Sequence, residues 1–210
     1  MKLSSLILRG ITGLCLLLIL GATYYRAPWW GLPALFMLFL AIIMLYEIKN
    51  LKLQFFHACI YPIAPFIALI IATVIPSLRI QLPMLFVTVF SYETGAFSFG
   101  SIMGKRALMP RVSPQKTWEG VIGGFITSSI VGYSFIQLSS SVLSLNQWSV
   151  LCPLFVFGAT IGDLYESYLK RKAHIKDSGS LLPGHGGLLD RFDGILGAIP
   201  FLYCAIPFLC

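Results

Sequence analysis

An all-α fold, a polytopic integral membrane protein of about seven transmembrane helices, is what this sequence predicts, and three observations predict it. Hydrophobic residues fill 57% of the 210 positions and charged residues 11%, whereas soluble domains run at roughly 45–50% and about 25%. The mean hydropathy is +0.85, and apolar runs recur along the whole chain with no polar block long enough to make a second, soluble domain. The remaining charges sit in short clusters between those runs. The chain is therefore read as one transmembrane domain, 1–210, and the net charge of +7 points to anionic headgroups or phosphates. Nucleic acid is not expected as a partner, because the cations sit in short clusters between spans. Cys15, Cys59, Cys152, Cys204 and Cys210 are scattered through apolar stretches without a CxxC pair, as small buried hydrophobes are.

Each span has its own justification. The first, about 11–25, follows Lys2 and Arg9 and has no clear small-x-small cleavage site, so it reads as a span and not a signal peptide. The second, about 28–46, begins at the interfacial pair Trp29 and Trp30 and is followed by Lys49 and Lys52. The third, about 58–75, carries Pro62 and Pro65 in its first turns, where a missing amide donor does no harm. The others cover about 82–103, 121–138, 150–169 and 192–209. Several are near the lower limit for a hydrocarbon core about 30 Å thick.

Basic residues orient the bundle. With a cytoplasmic N-terminus, Arg26 and Arg79 lie outside and the other thirteen of the fifteen Lys and Arg lie inside, a strong positive-inside bias. The outer loops carry no acid. The chemistry therefore belongs to the cytoplasmic side, where the two charged loops fall, 105–118 and 170–187.

The first loop is introduced by SYETGAFSFGSIMGKRALMPRVSPQKTWEG, residues 91–120. Glu93 lies within the fourth span, and an ionisable group there needs a cation, a metal or a water-filled cavity beside it, unless it serves to lock helices together. Gly95, Gly100 and Gly104 permit close approach of either a neighbouring helix or a ligand. Ser113, Lys116 and Thr117, followed by Glu119, suit an anion at a helix start, and equally suit a capped helix with solvated charges.

The second charged stretch, 162–194, holds five of the eight acidic residues and five of the fifteen basic ones. Asp163, Glu166 and Lys170 recur at i, i+3 and i+7, on one face near the inner membrane surface. After Lys176 and Asp177 comes a flexible SGSLLPGHGG segment, then Asp190 and Asp193 one turn apart at the start of the last span. Oxygen ligands from two helices with lysines and arginines beside them are what a magnesium-bound nucleotide phosphate requires, and a lone His185 makes no zinc site. Intramembrane acids also serve proton or sodium coupling in transporters, so transport stands as the alternative. The glycines around His185 draw away from it, since they let backbone amides approach a phosphate.

Ser167, Lys170, Arg171, Lys176, Asp177, Pro183, His185, Gly186, Gly187, Asp190, Arg191 and Asp193 match, with the same spacing, the signature of the phosphatidate cytidylyltransferases, or CDP-diacylglycerol synthases. The segment Ser113-Pro114-Gln115-Lys116-Thr117-Trp118-Glu119-Gly120 resembles the family's second motif. The resemblance covers 91–210, the catalytic half, and leaves 1–90 as N-terminal membrane helices. It implies a magnesium-dependent reaction of CTP with phosphatidate at the inner, cytoplasmic membrane, in a multi-pass enzyme that forms a homodimer. It further implies Asp163 and Asp190 as metal ligands, with Glu166, Asp193 and Glu93 in or near the shell and room for a second cation. Lys170, Asp177 and His185 are the other residues assigned to the reaction centre. Ser113, Lys116, Thr117, Arg171, Lys176, Gly186, Gly187 and Arg191 are assigned to substrate phosphates. Where the family carries aspartate in a D-x-G-A segment, this chain has Glu93, one methylene longer.

Overall fold

The computed structural model describes residues 3–51, 59–139, 144–182 and 186–204. It is an assembly of α-helices with one short β-ribbon among the described residues. Three helical stretches are long and apolar enough to cross a membrane, Gly31–Leu51, Trp118–Leu138 and Leu145–Lys172, or four if the helices Tyr61–Val74 and Pro76–Met103 count as one span. An all-α membrane protein is thus what the sequence builds. The chain divides into two units, 1–74 with 169–192, and 75–168 with 193–210.

In the first unit, α1 (Leu3–Arg26) is followed by α2 (Gly31–Ile42), a π-helical turn (Ile43–Glu47), α3 (Ile48–Leu51) and α4 (Ala64–Val74). The unit also takes the end of α8 (Leu145–Lys172) and the first turn of α9 (Leu189–Tyr203). Its core is aromatic. The Phe192 ring lies 6.2 Å from Phe36, 5.5 Å from Phe39 and 5.6 Å from Phe66, and Phe36, Phe66 and Phe192 are fully buried. Each such ring pair adds about 0.5–1.5 kcal/mol beyond its buried area. Because Phe192 follows Asp190 by two positions, this cluster anchors the turn that carries the aspartate.

The second unit begins with α5 (Pro76–Arg79) and α6 (Leu82–Met103). The ribbon β1 (Ala107–Met109) and β2 (Ser113–Thr117) leads to α7 (Trp118–Ser139), and the unit closes with α8 up to Tyr168 and α9 from Asp193. Helices α6 and α7 meet backbone to backbone. A Cβ on Gly124 would come within 2.6 Å of the Tyr92 carbonyl, and one on Gly120 within 2.8 Å of the Ala96 carbonyl. Lipid tails give apolar side chains no reason to leave them, so membrane helices associate through such close contacts. Helices α8 and α9 repeat the device: a Cβ on Gly158 would lie 2.6 Å from the Gly197 carbonyl, and one on Gly162 would strike the Asp193 carbonyl and the Gly197 backbone.

The ribbon adds two short strands to the stretch 105–118, which the sequence reads as a charged loop in an all-α protein. Met109 pairs with Ser113 and Ala107 with Thr117, and the Val112 amide donates to the Met109 carbonyl across a turn that contains Pro110. Proline lacks the amide a helix would need there. Thr117 is then the N-cap of α7: its Oγ1 accepts the Gly120 amide at 3.1 Å. Glu119 accepts the amides of Lys105 and Arg106 at 3.1 and 3.2 Å and ties the ribbon's entry to the helix start.

Candidate functional site

The two units each build a polar site from the residues singled out in the sequence. In the second unit, α6, the ribbon, α7 and α8 enclose a cavity of about 270 Å³. Glu93 enters it from α6, Ser113, Lys116 and Thr117 from β2, and Asp163 from α8. Lys116 and Asp163 form an ion pair at the cavity; their side chains keep 26% and 32% of their exposure, while the Lys116 ammonium itself is buried. The wall is held by a 2.6 Å hydrogen bond between the Tyr92 and Thr160 hydroxyls. Gly194 packs against the Glu93 carboxylate, leaving no room there for a side chain. The longer glutamate is accommodated by that glycine. Two carboxylates and an ammonium around one cavity form an arrangement able to hold an anion through lysine, or a cation through the acids.

Asp193 and Glu166 belong to the same unit and are both buried. The glycine contact between α8 and α9 brings the Asp193 backbone against Gly162, the residue preceding Asp163. The Asp193 side chain turns back on its own helix, its Oδ1 accepting the Gly194 amide at 2.8 Å.

In the first unit the signature segment wraps around Asp190. Its carboxylate accepts Lys170 Nζ at 2.8 Å, the Ser178 amide at 3.0 and 3.2 Å, and the Gly187 amide at 2.7 Å. Side-chain exposure is 12% for Lys170 and 4% for Asp190, which makes this a buried, charge-assisted cluster. Gly186 has φ +82°, and a Cβ there would lie 2.6 Å from Asp190 Oδ2 and 3.1 Å from Asp177 Cβ. That position needs glycine on both counts. Asp177 borders a separate open hollow with Lys49 and Asn50, while Arg171 and Lys176 are exposed and Arg191 half-buried. Pro183, Gly184 and His185 lie outside the described residues.

The structure thus brings Glu93, Ser113, Lys116, Thr117 and Asp163 together in one unit, and Lys170, Asp177, Gly186, Gly187 and Asp190 in the other. Each of the two aspartates expected to hold metal is paired with its own lysine. All the carboxylates offer hard oxygen donors, which fits magnesium chemically, with Glu93 and Asp163 sharing a cavity. Among the described residues no three of His, Cys, Asp and Glu gather as a preformed metal cluster.

One residue escapes the sequence reading. Glu47, only 1% exposed, accepts the Leu188 amide at 2.6 Å, the Leu189 amide at 2.9 Å and the Ser178 hydroxyl at 2.9 Å. Its signal was present: a carboxylate with apolar neighbours on both sides at the end of the second span.

Comparison with known proteins agrees with this picture. The model of the Cytidylyltransferase family matches residues 2–209. A phosphatidate cytidylyltransferase of Haemophilus influenzae is 36% identical over 189 residues, covering 82% of this chain and 64% of that protein. Those of Staphylococcus haemolyticus and Bacillus subtilis are 48% and 46% identical over 120 and 119 residues, each covering 56% of this chain and 45% and 44% of the relative. The chain therefore spans between about two fifths and two thirds of the length of these relatives. With its signature segment folded around a buried aspartate and a family match running nearly end to end, the chain belongs to the Cytidylyltransferase family.

Proposed function

We propose that the chain transfers CMP from CTP to phosphatidate, releasing pyrophosphate and giving CDP-diacylglycerol for phospholipid synthesis. The observation that carries this is the Asp190 cluster, in which a single signature segment supplies the carboxylate, its lysine partner and two amide donors. The names of the relatives support the same substrates.

A phosphate oxygen of phosphatidate attacks the α-phosphorus of CTP. One phosphorus–oxygen bond forms, the bond to the β-phosphate breaks, and pyrophosphate departs with its electron pair. The attacking oxygen is already ionised at neutral pH, so no strong base is needed, and positioning with charge neutralisation dominates the rate. Lys116, Ser113 and Thr117 are assigned to substrate phosphate at the cavity. Lys170, Arg171, Lys176 and Arg191 with the Gly186–Gly187 backbone are assigned the same task at the Asp190 cluster, and His185 is assigned to the reaction from its place in the signature sequence alone. Glu93, Asp163, Glu166 and Asp193 in one unit and Asp190 in the other are the candidate ligands for magnesium, and a second cation is part of the proposal. When bound, magnesium would neutralise the charge that develops on the triphosphate.

The proposal extends to seven spans, an N-terminus in the cytoplasm, a site at the cytoplasmic side of a multi-pass protein of the cell membrane, and a homodimer in the bilayer. The positive-inside count supports the orientation. The test is direct. Purified protein with labelled CTP and phosphatidate is expected to form CDP-diacylglycerol with magnesium and none after chelation. Solute movement in sealed vesicles without CTP consumption would refute it in favour of transport.

A further inference from the structure

We infer that Glu47 is a positioning residue for this reaction, an inference that rests on the proposed activity for its kinetic arm. Glu47 occupies the last place of the π-helical turn. Such single turns insert an extra residue into a helix, shift which side chains face inward, and recur at functional sites. The carboxylate meets two consecutive backbone amides at the start of α9, from Leu188 and Leu189, on its two different oxygens. Those amides are among the donors every helix leaves unsatisfied at its N-terminus, and the charge is at the favourable end of the helix dipole.

The same carboxylate takes the Ser178 hydroxyl, and Ser178 connects two acids. Its hydroxyl donates to Glu47, its amide donates to Asp190, and its carbonyl accepts Asn50 Nδ2 at 3.1 Å. Ser178 is fully buried. A Cβ on Gly187 would strike the Ser178 hydroxyl and lie 2.7 Å from Glu47 Oε2, so the loop is closed down on this carboxylate with no spare space. Glu47 grips both segments that supply Asp190 with amides. It acts through them: the direction of the Asp190 carboxylate, and with it the Lys170 ammonium, is set by a residue more than a hundred positions upstream.

The test compares wild type, Glu47→Gln, Glu47→Asp and Ser178→Ala in detergent micelles by two readouts. Glutamine keeps the size but presents an amide donor to donors, so hydrogen–deuterium exchange across 176–191 is expected to speed at least about tenfold. Turnover is expected to fall about 10- to 100-fold with KM for CTP changed less than about threefold, as misplacement of a reacting group costs. Aspartate, which keeps the charge, is expected to recover part of both. Ser178→Ala removes only the hydroxyl link and carries the same two measurements should Glu47→Gln fail to fold; its expected effects are smaller and in the same direction. Unchanged exchange across 176–191 in either variant, or wild-type turnover in Glu47→Gln, overturns the inference. Loss of fold stability with an unchanged kcat also overturns it. If wild type makes no CDP-diacylglycerol, the proposed activity falls, and the exchange arm still decides whether Glu47 positions the segment.

Discussion

Replacing Asp190 by asparagine separates the structural from the chemical role of the signature. The side chains of Lys170 and Asp190 retain only 12% and 4% of their exposure, so solvent screens their 2.8 Å contact weakly. Asparagine removes the charge opposite Lys170 and turns one oxygen, which accepts the Ser178 or Gly187 amide, into a donor. Removing one partner of a buried pair costs about 3–5 kcal/mol. That is a fifth or more of a total stability of about 5–15 kcal/mol. Removing both charges is far less costly, because an apolar side chain can fill the lysine's place without leaving a buried charge. The assay is unfolding in micelles of wild type, Asp190→Asn, Lys170→Met and the double variant, with turnover measured on each. A coupling of about 1–3 kcal/mol is expected, with the double variant recovering stability. Turnover is expected to stay at least about 10²-fold down in both Asp190→Asn and the double variant. Additive stabilities would refute the buried pair, and turnover returning along with stability would refute the role in the reaction.

Three further outcomes follow from the geometry. Lys116→Met is expected to raise KM for an anionic substrate by about tenfold or more while leaving unfolding within about 1 kcal/mol, since the Asp163 side chain left behind keeps 32% of its exposure and can be hydrated; steady-state kinetics check it. Gly162→Ala is expected to destabilise by about 1–3 kcal/mol, because the added Cβ meets the Asp193 carbonyl and the Gly197 backbone, which can yield only by moving a helix. Thr117→Val removes the α7 cap and is expected to cost about 0.5–2 kcal/mol, with faster amide exchange at Gly120 as its signature.

Much of this was legible in the sequence, for reasons that differ by residue. Membrane class follows from composition, because burial in lipid demands apolar runs that nothing else requires. The importance of Asp190, Lys170 and Gly187 was readable because charge and glycine are both costly in a hydrophobic chain. Their mutual contacts were not: that Lys170 pairs with Asp190 and Lys116 with Asp163 depends on backbone directions that spacing along one helix does not specify. The ribbon was hidden because Ser113-Pro114 and Thr117 serve a helix start and a strand equally well, and pairing with 107–109 decides between them. Glu47 was hidden by its distance in sequence from the segment it holds. A carboxylate at the end of a span looks like an interfacial charge until its three donors are seen.

The contact between α6 and α7 bears on the cavity these same helices wall. Tyr92, Glu93, Ala96 and Phe97 come from one helix and Gly120 and Val121 from the other. Where glycine lies against carbonyl, no rotamer exists by which the spacing could be adjusted, so the gap between the two walls is a fixed gauge. The side chains of Tyr92, Glu93 and Phe97 can move within that gap, but the distance between the helices that wall it cannot follow them.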